Sequence, residues 1–118
     1  MARSRSAGVT YESVKVAALA LPGVEESTSY GTPALKVRGK LMVRLREDFQ
    51  TIVVRATWED RERLLAVDPE TYYVTDHYLK YPWVLARLST LKPGALKPLM
   101  RLAWQNVAPK SLVARFGA

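Results

Sequence analysis

The chain has 118 residues, enough for one domain, and its 48% hydrophobic and 25% charged content is that of a globular protein rather than a disordered one. It contains no cysteine, which excludes disulfides and thiolate chemistry, and no apolar run approaches the roughly 20 residues of a membrane-spanning helix. The net charge of +7 is unevenly placed: eleven Lys and Arg balance all eleven acids up to Asp76, while Lys80, Arg87, Lys92, Lys97, Arg101, Lys110 and Arg115 follow without an acid. An unopposed basic segment points to polyanionic partners.

The first nine residues lack the apolar centre of a secretory signal and are expected to form a short flexible arm on a cytoplasmic, monomeric protein. Thr10 can cap a helix whose apolar positions are Val14, Ala17, Ala18 and Leu21, stopped by Pro22-Gly23. Val24 to Gly31 is expected as a polar edge strand closed by the turn Gly31-Thr32-Pro33. From Ala34 to Leu45 the alternation around Gly39 predicts a hairpin, with Leu35, Val37, Leu41, Val43 and Leu45 on the core face. The same alternation puts Lys36, Arg38, Lys40, Arg44 and Arg46 on the solvent face.

Thr51 to Arg55 continues the meander, and Thr57 opens a short helix through Trp58, Arg61, Leu64 and Leu65 that ends at Asp68-Pro69. Tyr72 to Val74 and Trp83 to Leu88 read as strands around a loop, Asp76 to Pro82, held down by its own aromatic rings. Five of the eleven aromatic residues and the only histidine, His77, fall between Tyr72 and Leu88. A helix with Leu96, Met100, Ala103 and Val107 on one face follows; its regular part is expected to begin at Pro98, because a proline inside a helix removes a hydrogen bond. Pro109 opens a last short helix through Leu112 and Phe116. This order predicts a single α+β domain over residues 1–118, a two-layer sandwich of an antiparallel sheet with helices packed on one face.

Three stretches in this order, Ala20-Leu21-Pro22-Gly23-Val24-Glu25-Glu26, Tyr30-Gly31-Thr32-Pro33-Ala34-Leu35-Lys36-Val37-Arg38-Gly39-Lys40, and His77-Tyr78 with Tyr81-Pro82-Trp83-Val84, resemble the MmcQ/YjbR family. The resemblance implies a CyaY/frataxin-like fold and a DNA-binding role for a double-wing surface. The chain departs from the family at Lys92 to Pro98, where similar sequences have an acidic, uninterrupted helix start.

On these grounds the expected function is non-catalytic binding of nucleic acid, duplex DNA first, with low sequence selectivity. Lys36, Arg38, Lys40, Arg44 and Arg46 of the hairpin, with Lys80 and Lys97 or Arg101, would meet phosphates, and Tyr78 and Tyr81 would pack on sugar or base, with His77 at the same site capping or hydrogen-bonding the loop. The alternative is a small-molecule or protein-binding module built on the aromatic loop, residues 76–83. A metal-binding reading finds only scattered acid pairs such as Glu25-Glu26 and Glu47-Asp48, and an enzyme would have to be built from Asp76, His77 and a tyrosine hydroxyl; no cofactor or metal is expected.

Overall fold

Thr10 closes a reciprocal cap: its Oγ1 accepts from the Ser13 N–H at 3.2 Å, and Ser13 Oγ accepts from the Thr10 N–H at 3.0 Å. Helix α1 (Tyr11–Leu19) starts there and buries Val14 and Ala18. The computed structural model describes residues 8–117, so most of the expected flexible arm, residues 1–7, lies outside the described residues. Gly8 and Val9 do not belong to a loose arm. The Val9 N–H donates to the Leu88 carbonyl at 2.9 Å, and Gly8, at φ +89°, lies so close to the chain that a Cβ would stand 2.6 Å from the Ser89 carbonyl oxygen.

Four strands follow in a meander, β1 (Val24–Ser29), β2 (Thr32–Val37), β3 (Lys40–Leu45) and β4 (Thr51–Arg55), each antiparallel to the next. The first turn is Tyr30-Gly31, with Thr32 and Pro33 already in β2 rather than in the turn. Like Arg38-Gly39 between β2 and β3, it has positive φ at both positions, the two-residue geometry whose twist matches that of paired strands. Helix α2 (Trp58–Val67) leads to the short β5 (Tyr72–Tyr73), a 3₁₀ turn over Asp76–Tyr78, and β6 (Trp83–Arg87). The strand order is β1-β2-β3-β4-β6-β5, so β6 inserts between β4 and β5, leaving β1 and β5 as the edges.

Helix α3 (Pro93–Val107) begins one and a half turns before the start expected at Pro98, with Pro93 in its first turn. Pro98 is thus inside the helix, and the carbonyl that loses its i+4 donor is that of exposed Gly94, which water can reach. Helix α4 (Lys110–Gly117) ends the fold.

One face of the sheet carries the core. Leu35, Val43, Leu45, Ile52, Val54, Val84 and Ala86 meet Val14 and Ala18 of α1, Leu64 of α2, Leu99, Met100, Ala103 and Trp104 of α3, and Leu112 of α4. Each fully buried large aliphatic side chain contributes about 1.5–3 kcal/mol against the entropy of ordering the chain. The architecture is therefore the predicted α+β sandwich, with the helices on one side of an antiparallel sheet.

The hairpin departs from simple alternation. Lys36 pairs with Leu41 but Leu35 with Val43, so Met42 is an extra residue on β3. The two-residue turn, by setting Leu41 opposite Lys36, puts Leu41 on the outer face and reverses its expected place, and the bulge then lets both Met42 and Val43 enter the core and returns Arg44 to the outer face. The same turn puts Lys40, paired with Val37, in register with the core-side face, so the five hairpin cations do not share one solvent surface.

Candidate nucleic-acid interface

The outer face of the sheet is not bare. Its central residues, Ala34, Arg44, Val53 and Leu85, are buried although α1 to α4 all lie on the other face. Their cover is the loop from Asp76 to Pro82 together with Tyr30, and the gap between loop and sheet is a cleft of about 270 Å³ lined by Tyr30, Leu41, Arg44, Val53, His77, Tyr78, Tyr81 and Trp83. Val53 and Arg44, the most buried of these, form its floor, and Tyr30 and Tyr81, at 80% and 53% exposure, its rim.

Arg44 is the one charge on that floor. Its Nη1 donates to Thr32 Oγ1 at 3.3 Å and Nη2 to Tyr78 Oη at 3.2 Å, the Glu47 carboxylate is 3.6 Å away, and the Tyr30 ring stacks 5.1 Å from the guanidinium. Burial would lower its pKa, but the Tyr78 hydroxyl and Glu47 outweigh that and raise it, so the group keeps its charge. The Glu47 carboxyl is held below the usual range by its own backbone N–H and then by Arg44.

The loop itself is fixed by Arg61 of α2. Its Nη1 donates to the carbonyls of Tyr78 at 3.1 Å, Tyr81 at 2.7 Å and Trp83 at 3.5 Å, and its Nη2 to that of Leu79 at 3.2 Å. The Trp58 ring lies 4.8 Å from the same guanidinium. A planar five-donor group suits a loop that turns several carbonyls to one point; lysine lacks that geometry.

Beside the cleft, arginines stack on rings in the sheet's own register. Arg55 is paired with Trp83 across β4 and β6, its guanidinium 5.5 Å from the ring, and Arg87 lies 4.1 Å from the Tyr73 ring. Both pairs are on the outer face, with Lys36 and Arg46 further along it and Lys80 exposed on the loop. Arg87 Nη1 already donates to the Glu70 carbonyl at 2.9 Å, which fixes the stacked guanidinium and leaves its remaining N–H groups for a phosphate, at little further loss of rotamer freedom.

Of the residues expected at the site, Lys36, Arg46, His77, Lys80 and Tyr81 come together on this outer face. Arg44 is there but 6% exposed, a floor residue rather than a solvent-face phosphate contact. Tyr78 is half-buried and tied by its hydroxyl and its carbonyl, not free at a turn tip. Arg38 sits in the β2–β3 turn and Lys40 faces the helix side. Lys97 and Arg101 are exposed on α3, across the sheet from the cleft, with Arg101 stacked 5.2 Å from Phe116. Sequence reasoning missed Tyr30, Arg55, Arg61 and the Arg87–Tyr73 pair. Only Arg61 left a trace, as a cation on the apolar stripe of its helix.

An open-faced antiparallel sheet, backed by helices and carrying a basic aromatic cleft, defines a class of small α+β proteins by shape. Within it, the chain belongs to the YjbR family, whose sequence profile it matches over residues 19–106. Its fold is similar to that of the Deinococcus radiodurans protein DR2400, a crystal structure with a DUF419 domain, at a TM-score of 0.70 over 92% of this chain and 88% of that one, with 19% identity. Over 53 residues it is 42% identical to the uncharacterized proteins Rv2570 of Mycobacterium tuberculosis and Mb2600 of Mycobacterium bovis. That stretch is 45% of this chain and 41% of each relative, so the match spans less than half the length of either.

Proposed function

We propose that the protein is a non-catalytic nucleic-acid-binding module that follows the sugar-phosphate backbone with the outer face of its sheet and has low sequence selectivity. The observation that carries this reading is the stacking of Arg55 on Trp83 and of Arg87 on Tyr73 at the two ends of the β4–β6 ladder, with Lys36, Arg46 and Lys80 as further cations. These groups offer positive charge over an extended surface, which a backbone needs, and among the described residues no helix stands on that face to enter a major groove.

Salt-titrated anisotropy with a labelled duplex tests it. Five backbone contacts give a log–log slope of about −3 to −5, and Arg55→Gln with Arg87→Gln reduces that slope by about 2. A flat salt profile, or no binding at low salt, rejects the proposal.

A further inference from the structure

We infer, building on the nucleic-acid reading above, that the cleft under the aromatic loop receives one unpaired nucleobase, so that single-stranded nucleic acid binds more tightly than a fully paired duplex. Size is the first reason. A cleft of about 270 Å³ falls just below the range of ligand pockets, which begins near ~300 Å³, and suits one ring system, not a folded peptide or a helix. Its lining is the second. Tyr30, Tyr78, Tyr81 and Trp83 offer ring surface, Leu41 and Val53 offer apolar surface, and the single cation beneath, Arg44, favours an electron-rich heterocycle over an aliphatic chain.

The third reason is that the cleft is built in advance. Tyr78 is fixed by Arg44 from the sheet and by Arg61 from α2, and because its oxygen accepts from Arg44 its own proton stays available to a carbonyl of a base. A second opening of about 310 Å³, lined by Tyr30, Arg44, Arg46, Glu47, His77 and Tyr78, adjoins the first and leads to Arg46, so a phosphate next to an inserted base has a cation within the same groove. A base inside a duplex has both ring faces stacked and its edge paired, so it would have to be extruded at the expense of that stacking and pairing. An unpaired base carries no such penalty.

The experiment compares four probes at low salt: a short single strand, the same strand with one central abasic position, its fully paired duplex, and a free mononucleotide. The single strand is expected to bind at least about 10-fold more tightly than the duplex, and the abasic position to remove most of that gain. Tyr81→Ala is expected to do the same while leaving Tm nearly unchanged, because Arg61 holds Tyr81 by its main-chain carbonyl, which the substitution keeps. Leu41→Trp, which fills the cleft from a half-exposed position, is a second variant with the same expected loss. Equal affinity for single strand, abasic strand and duplex overturns the inference but leaves the backbone-binding proposal standing. No binding of any strand overturns both. Mononucleotide binding as tight as that of the single strand overturns the strand form of the inference and assigns the cleft to free nucleotides.

Discussion

Arg61 Nη1 donates to the carbonyl oxygen of Tyr81 at 2.7 Å, the shortest of four bonds by which one helix side chain holds the loop over the sheet. Arg61 is 6% exposed and pairs with loop carbonyls rather than with a carboxylate, so the loop's main chain supplies its electrostatic partners. Arg61→Met is expected to cost about 2–4 kcal/mol, since it leaves several carbonyls without a donor. Chemical denaturation measures the cost, and hydrogen exchange should show faster opening of residues 78–83. Arg61→Lys should recover only a minor part. A Met variant as stable as the parent would show that the loop is held by its rings alone.

Trp83 and Trp104 should respond differently to truncation. Trp104 is fully buried, with its Nε1–H on the Pro22 carbonyl at 2.8 Å, and Trp104→Ala should cost about 3–5 kcal/mol. Trp83 lies half-buried on the outer face beneath Arg55, so Trp83→Ala should cost about 1–2 kcal/mol while weakening strand binding. Paired urea titrations of the two variants decide the matter, and equal losses would place Trp83 in the core.

Two glycines give opposite expectations. Gly94, in the first turn of α3, has nothing within 4 Å of the place a Cβ would take apart from its chain neighbours and its own helix backbone, so Gly94→Ala should stabilise by about 0.4–1 kcal/mol through the unfolded chain. Gly8→Ala combines positive φ with a Cβ 2.6 Å from the Ser89 carbonyl oxygen and should lower stability by about 1–3 kcal/mol. Differential scanning calorimetry on both separates them. A neutral Gly8→Ala would mean that Val9 is not docked on Leu88.

Asp60 provides the pH test. Partial burial would raise its carboxyl, but the hydrogen bond from Arg63 at 2.8 Å and that residue's charge hold it below the ordinary range. A depressed folded pKa contributes stability above the unfolded value, about 3.9, and that contribution disappears as pH falls through the folded value. Asp60→Asn should therefore lower Tm at neutral pH, with the gap to the parent closing below about pH 4. A gap independent of pH would assign the loss to packing.

Local signals were sufficient for most elements. Thr10 and Thr57 announced two helix starts, Gly39 a hairpin, and the polar run from Val24 an edge strand, because caps, positive-φ turns and alternation are set by residues a few positions apart. The family and the α+β layering were also legible, in Tyr81-Pro82-Trp83-Val84 and in the order of the elements. The cleft was not. Its floor exists because an extra residue, Met42, shifts β3 by one position, its lid because Arg61 reaches carbonyls 17 to 22 residues away, and its shape because Arg44 meets Tyr78 across 34 residues. A one-residue slip reverses which side chains share a face, and a bond across such separations depends on where the sheet and α2 have already been placed. The composition of the site was thus written in the sequence, while the choice of which cations meet which rings belonged to the tertiary structure.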